Sequence, residues 1–130
     1  MSYGIQKLAG EPIAINTFYT DYSVAEESRQ NANDLLTMLD EQNTPIYLIY
    51  DATAFTFNFN EILHGIAIGT RQSQLFKHPN VIENALVTDK PFLKSAMEGL
   101  NNPLFGSVRF HAFASLEAAL AYVRGQIATR

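Results

Sequence analysis

The sequence predicts one α/β domain with a mixed, mostly parallel sheet of about five strands, an N-terminal antiparallel hairpin and four flanking helices. Length and composition support a single domain, because 130 residues with 47% hydrophobic content are enough for one core. The unbroken apolar run at residues 46–50 indicates a strand buried on both faces. After the hairpin, helix and strand patterns alternate in the order β-β-α-β-α-β-α-β-α, and parallel neighbours need such helical connections.

The N-terminal third predicts a hairpin and a long helix. Residues 5–8 and 13–19 have strand-like patterns and are separated by a Gly-Glu-Pro turn. Ser23 begins a capping box, in which its side chain accepts a hydrogen bond from the third helical amide. In return, the Glu26 side chain accepts one from the Ser23 amide. The helix runs to about Gln42. Its apolar face consists of Val24, Ala32, Leu35, Leu36 and Leu39.

The central strand is followed by a second helix and a further strand. The second helix covers residues 59–76 and has Asn58 as its N-cap. Residues 81–88 form the next strand, in which Glu83 and Asn84 interrupt the apolar pattern. The chain therefore continues the alternation of strand and helix.

The C-terminal third predicts two more helices with a strand between them. Asp89, Lys90 and Pro91 begin the third helix, since proline is tolerated in a first helical turn. Residues 108–113 alternate polar and apolar side chains, which indicates an edge strand or a sheet with one lightly covered face. Ser115 caps the last helix. Its apolar stripe consists of Leu116, Ala119, Leu120, Val123 and Ile127.

Charge and residue content argue against several functional classes. The net charge is −4 and no cluster of Lys or Arg is present, so we expect no binding to nucleic acid. The absence of cysteine excludes disulfides, zinc ribbons, iron–sulfur clusters and thiol catalysis. The chain shows no signal-peptide pattern and no stretch of membrane-spanning length, which predicts a cytoplasmic protein with no membrane contact.

Two stretches carry a resemblance to a known family. The segment PIYLIYDATAF, residues 45–55, follows a hairpin and a helix. The segment VRFHAFASLEAALAYV, residues 108–123, reads as a strand, a short polar step and an Ala/Leu-rich helix. In this order of elements the chain resembles the STAS superfamily, and in particular its SpoIIAA-like branch of small standalone bacterial proteins. The resemblance implies a regulatory or interaction module that acts through protein–protein contacts or binds a small ligand, and is not an enzyme.

The segment after the central strand is the predicted binding site, because ligands of open α/β sheets bind at the carboxyl ends of the strands. Asp51 has two interpretations, since it either holds a ligand or cation or accepts hydrogen bonds from loop amides. Phe55, Phe57 and Phe59 either line an apolar pocket or partner surface or belong to the core. The alternative function is therefore binding of a small apolar ligand by the aromatic loop, residues 53–60. The predicted partner- or ligand-binding residues are Asp51, Thr53, Phe55, Thr56, Phe57 and Asn58.

A phosphorylation switch is a separate hypothesis for this loop. In the anti-sigma-factor antagonists of the family, a Ser at a helix N-terminus after the central strand is phosphorylated by a partner kinase. The matching segment of this chain has no Asp-Ser-Ser-Gly run and offers Thr53 and Thr56 instead. The positive end of the following helix would favour a phosphate at these hydroxyls.

Gly65 and Gly69 lie one turn apart in the predicted second helix, where glycine costs about 1 kcal/mol relative to alanine. They either allow the helix to pack closely on the sheet or form a helix–helix contact between two copies of the chain. Charged residues make up only 17% of the sequence, which also favours self-association. We expect a homo-oligomer, with a preference for a dimer.

Motifs of catalysis, metal binding and cofactor binding are absent from the sequence. His64, His78 and His111 lack the spacing of metal ligands, and we interpret each as a surface or capping residue. The chain contains no Gly-rich phosphate loop and no nucleophile elbow. We therefore predict no catalytic residue, no metal and no cofactor.

Overall fold

A computed structural model describes residues 2–55, 78–91, 94–95 and 110–129. Within these residues the chain forms a five-stranded sheet and two long helices. In chain order the elements are β1 (Tyr3–Lys7), β2 (Ile13–Phe18), α1 (Val24–Asp40), β3 (Ile46–Asp51), β4 (Val81–Val87), β5 (Phe110–Phe113) and α2 (Leu116–Ala128).

The first and last of the four predicted helices are confirmed as α1 and α2. The predicted second helix, residues 59–76, and most of the third lie outside the described residues. Pro91, Lys94 and Ser95 are helical, and the Lys94 amide donates to the Lys90 carbonyl at 3.1 Å. The described residues at the predicted start of the third helix are thus helical.

The sheet has the strand order β1-β2-β3-β4-β5. β1 is antiparallel to β2, and the other three neighbouring pairs are parallel. β5 lies at one edge of the described sheet, which is one of the two interpretations of the alternating pattern of residues 108–113. The mixed, mostly parallel sheet with an N-terminal hairpin is confirmed.

The hairpin begins earlier than predicted. β1 starts at Tyr3, two residues before the predicted strand, because Tyr3 pairs with Phe18 across the hairpin. The Tyr19 amide extends this pairing by donating to the Ser2 carbonyl at 2.9 Å. The connecting turn contains Gly10 at a φ of 75°, a left-handed conformation that glycine adopts without steric cost.

β3 is buried on both sides, as its apolar run predicted. Its side chains alternate between two cores. Ile46, Leu48 and Tyr50 pack with α1, whereas Tyr47 and Ile49 pack with α2. We call these two sides of the sheet the α1 face and the α2 face.

β4 contains one extra residue relative to β3. Ile46 pairs with Val81, yet Leu48 pairs with Asn84, so three steps along β4 match two along β3. Such a bulge changes which side of the sheet the following residues occupy. As a result Glu83 contacts α2 while Asn84 shares the α1 face with Leu48.

α1 begins at Ser23, whose Oγ accepts a hydrogen bond from the Glu26 amide at 3.3 Å. The prediction that the Glu26 carboxylate accepts a hydrogen bond from the Ser23 amide is wrong. The carboxylate that accepts from the Ser23 amide, at 3.2 Å, belongs to Glu27. The Ser2 hydroxyl also donates to Glu27, so a contact from the N-terminal segment fixes this carboxylate in addition to the helix itself.

α2 begins at Ser115, as predicted, and the Ser115 Oγ accepts from the Ala118 amide at 3.1 Å. Ala119 and Val123 of the predicted stripe are buried against the sheet. Within the part of the chain that the structure describes, no helix has the length and apolar character needed to cross a bilayer.

Candidate functional site

The carboxyl ends of the four parallel strands lie level with one another. Thr17, Asp51, Val87 and Phe113 are direct neighbours across β2, β3, β4 and β5. Backbone bonds continue this alignment past the strands, since the Ala52 amide donates to the Val87 carbonyl at 2.9 Å. The predicted site after β3 therefore shares one edge of the sheet with the loops after β2, β4 and β5.

Asp51 stabilises the start of its own loop. Its Oδ1 accepts hydrogen bonds from the Thr53 amide at 3.1 Å and from the Thr53 hydroxyl at 2.7 Å. This is the loop-amide interpretation of Asp51, since Asp commonly bonds the backbone two residues on in turns. Within the described residues, no group of three or more His, Cys, Asp or Glu is arranged to hold a metal ion.

Thr53 is exposed, which gives a kinase access to its hydroxyl. The same hydroxyl donates to Asp51. A phosphoryl group on this oxygen would remove the donated hydrogen and place negative charge beside the Asp51 carboxylate, which is unfavourable. Phosphorylation of Thr53 stays a hypothesis, and Thr56 lies outside the described residues.

Phe55 packs on the edge of the core rather than standing free in solvent. It is half-buried, and its ring meets the Tyr22 ring edge to face with centroids 5.7 Å apart. Tyr22 in turn contacts Phe18, with centroids 4.7 Å apart. The core interpretation therefore describes Phe55, whereas the predicted site and oligomer residues that follow Thr56 lie outside the described residues. These are Phe57, Asn58, Phe59, Gly65 and Gly69.

The loop after β4 is ordered in a similar way to the loop after β3. The buried Thr88 hydroxyl oxygen accepts from the Lys90 amide at 3.1 Å. The Lys90 ammonium lies 2.6 Å from an Asp89 carboxylate oxygen. The hydrogen bond from Lys90, and then its charge, lower the pKa of Asp89. Polar side chains in both loops thus bind their own loop backbone or an adjacent residue.

A second polar group, which the sequence analysis did not assemble, lies on the α2 face beside β5. The Tyr122 hydroxyl donates to Glu83 Oε2 at 2.7 Å. His111 Nε2 lies 3.2 Å from the same carboxylate oxygen and 3.3 Å from the Tyr122 hydroxyl. We call these three residues the Glu83 cluster. Glu83 and His111 are far apart in sequence, and only the β4 bulge brings Glu83 to this side of the sheet.

His78 has a structural role, but its side chain is only 10% exposed, so it is not the surface residue that was one of the two interpretations. Its Nδ1 accepts from the Asn80 amide at 3.0 Å, and its Nε2 lies 2.8 Å from Asp40 Oδ1 at the end of α1. The Asn80 side chain donates to the Leu39 carbonyl at 2.9 Å. These bonds join the segment before β4 to the C-terminus of α1.

Neither a family model nor a curated protein sequence matches the chain. A similar fold occurs in the crystal structure, at 2.25 Å resolution, of an uncharacterized protein from the DUF3478 family with a SpoIIAA-like fold, from Shewanella loihica PV-4. The TM-score is 0.60 at 17% identity, and the match covers 93% of this chain and 91% of that one. At this identity the similarity concerns the fold alone, and it confirms the SpoIIAA-like resemblance at that level.

Proposed function

We propose that the protein is a non-enzymatic regulatory or interaction module that acts through protein–protein contacts at the carboxyl end of its sheet. The observation that carries the proposal is the row of aligned strand ends with internally hydrogen-bonded loops. Loops of this kind present a preformed surface, and a preformed surface loses little conformational entropy on binding.

The exposed residues that follow the parallel strands define this carboxyl-end surface. Tyr19 is 43% exposed and is a large hydrophobic side chain, a residue type enriched at interfaces. Small or polar side chains surround it, which suits a partner whose surface has both apolar and polar groups. The carboxyl-end surface comprises Tyr19, Thr53, Ala54, Asp89 and Ala114.

The experiment is cross-linking in an extract of the host cell, followed by identification of the captured proteins. Thr53→Arg places a large charged side chain on the carboxyl-end surface. Thr37→Arg makes the same change on the exposed side of α1, and it serves as the matched control. We expect Thr53→Arg and Tyr19→Ser to lose a partner that the wild type and Thr37→Arg retain. Retention of the same partners by all variants would contradict the proposal.

We further propose that the module is a homodimer formed through Gly65 and Gly69. The low charge content and the spacing of the two glycines support this proposal. Light scattering at micromolar concentration should then give twice the chain mass of 14.5 kDa. Gly65→Leu should reduce the mass to that of a monomer, whereas Gly125→Leu on the exposed side of α2 should not. A monomeric wild-type protein would rule the dimer out.

The second candidate function is binding of a small apolar ligand by the aromatic loop, residues 53–60. The position of Phe55 favours this function. Its ring contacts Tyr22, which contacts Phe18, so the three aromatic rings together reach the carboxyl edge of the sheet. Native mass spectrometry of protein purified from its host should then show a retained mass. Phe55→Ala should release it, and a single mass equal to that of the bare chain would count against this function.

A further inference from the structure

We propose that the buried side chain of Asn16, on the α1 face of the sheet, binds a small neutral guest molecule. The amide of Asn16 would bond the hydroxyl group of this guest, which is either water or a small alcohol. This inference is independent of the proposed partner surface, because Asn16 lies within the domain. It rests on three observations within the described residues: the burial of the Asn16 amide, the unused hydrogen-bonding capacity of two buried Asn side chains, and the lack of buried charged side chains.

Asn16 occupies a position that its residue type rarely takes. It lies in the middle of β2, between Ile5 of β1 and Tyr50 of β3, and its exposure is 0%. Asn is depleted both in strands and in protein interiors. Strand alternation places it on the α1 face with Ala14 and Phe18, which belong to the core packed with α1.

The Asn16 amide has hydrogen-bonding capacity that the described part of the chain does not use. Neither its Nδ2 donor nor its Oδ1 acceptor has a protein partner. Most buried polar groups in native proteins are hydrogen-bonded, and a buried group without a partner loses its hydration with no compensation. A guest that both donates and accepts would satisfy the two atoms together, and a hydroxyl group is the smallest such guest.

A second buried amide contributes to the same layer from the helix side. Asn31 of α1 is 4% exposed, and its Oδ1 has no protein partner within the described residues. Its side chain also bonds the Tyr22 hydroxyl. Tyr22 belongs to the core on the α1 face. The layer between α1 and the sheet therefore offers polar atoms from both of its walls.

The surroundings of Asn16 favour a neutral guest over an ion. The buried polar side chains of the described residues are Asn, Ser and Thr, with no buried Lys, Arg, Asp or Glu. Burial also raises the pKa of Tyr50, the β3 neighbour of Asn16, and of Tyr22, so both phenols stay neutral. A charged guest would lose its hydration with no opposite charge to compensate for it.

The first test is the direction in which Asn16→Leu changes the thermal unfolding midpoint. Leu has the same number of side-chain heavy atoms and the same branching as Asn, and it removes both polar atoms. If Asn16 binds a guest, the substitution should lower the midpoint by about 4 °C or more, because the guest loses its partner. If the amide has no partner, the substitution removes a buried unsatisfied group and should leave the midpoint unchanged or raise it, which would overturn the proposal.

The matched control is Asn33→Leu, since Asn33 lies on the exposed side of α1. This control should leave the midpoint close to that of the wild type. A fall of the same size in both variants would assign the effect to the Asn-to-Leu change itself, and it would overturn the proposal.

The second test uses wild-type protein, so it does not depend on the folding of any variant. Magnetisation transfer in NMR should link the Asn16 side-chain amide hydrogens either to water or to the protons of an organic molecule. Denaturation followed by mass spectrometry of the small-molecule fraction distinguishes the two sources, since only an alcohol would be released as an organic compound. Amide hydrogens that show transfer to neither would overturn the proposal.

Discussion

The two faces of the sheet differ in chemistry although the same strands build both. Among the described residues, the buried side chains on the α2 face are hydrophobic, whereas the α1 face also contains buried amides. Asn16 of β2, Asn84 of β4 and Asn31 of α1 are all nearly inaccessible to solvent. The core side chains of the α2 face are Ile13, Ile15, Tyr47, Ile49, Ala85, Val87, Ala119 and Val123.

The two faces also differ in where their polar groups lie. Polar groups on the α2 side lie at its margin, where solvent reaches them. In the Glu83 cluster the His111 side chain is 46% exposed, and the bidentate pair of Arg124 with Glu11 lies at the surface. The α1 side also has polar groups inside, namely the buried amides, and each of these needs a specific partner. The α2 face therefore mainly stabilises the fold, while the α1 face combines stability with specific polar contacts.

The largest effect should come from truncating neighbouring core residues of β3 that point to opposite faces. Leu48 and Ile49 are both 0% exposed, so they form a matched pair. Either substitution to Ala should lower the free energy of unfolding by about 2–5 kcal/mol. Ile49→Ala should cost more, because its cavity is lined by apolar atoms, whereas the Leu48 cavity adjoins Asn84 and admits water. Denaturant unfolding measures both, and an equal or larger loss for Leu48→Ala would remove the distinction between the faces.

A smaller effect should come from the Glu83 cluster at the margin of the α2 face. Tyr122→Phe removes a hydroxyl that donates to Glu83, whose side chain is only 14% exposed. We expect a loss of about 1.5 kcal/mol in the free energy of unfolding, the lower end for a hydrogen bond to a charged group. Tyr19→Phe is the control, since Tyr19 is exposed, and it should change little. Equal effects of the two substitutions would show that the cluster contributes nothing measurable to stability.

The cap of α1 gives a prediction of about 1 kcal/mol. Glu27→Ala should destabilise the protein by this amount, because the Glu27 carboxylate accepts from the Ser23 amide and the Ser2 hydroxyl. Glu26→Ala removes the same charge from the same helical turn, so it controls for the helix dipole. Urea unfolding of the two variants should separate them. A larger loss for Glu26→Ala would restore the predicted capping box.

The smallest effect concerns Tyr3, at the margin of the α1 face. Partial burial, and after it the hydrogen bond to Asp34 at 2.6 Å, raise the pKa of Tyr3 from 10.0 to about 12. Because the folded value is the higher one, this contribution to stability is complete below pH 10.0 and is lost as pH rises toward about 12. Asp34→Asn should lower the pKa of Tyr3 without returning it fully to 10.0, since burial remains. Tyrosinate absorbance measures the titration, and an unchanged pKa in the variant would exclude Asp34 as a cause.

Local patterns predicted the elements whose stability depends on neighbours in sequence. Five consecutive apolar residues predicted β3, because a strand covered on both sides needs no polar face. Ser23 and Ser115 predicted the starts of α1 and α2, since an N-cap bonds amides two or three residues further on. Among the candidate site residues, the hydrogen bonds of Asp51 followed the turn interpretation for the same local reason.

The sequence alone thus determined the order of the described elements, the central strand, the two serine caps and the position of the carboxyl-end loops. Only the tertiary structure decided that Glu27 caps α1, that the β4 bulge brings Glu83 to His111 and Tyr122, and that Asn16 is buried. The physical reason is the range of the interactions. Helix caps and strand periodicity act over a few residues, whereas the side of the sheet that a polar residue occupies depends on the register of strands distant in sequence.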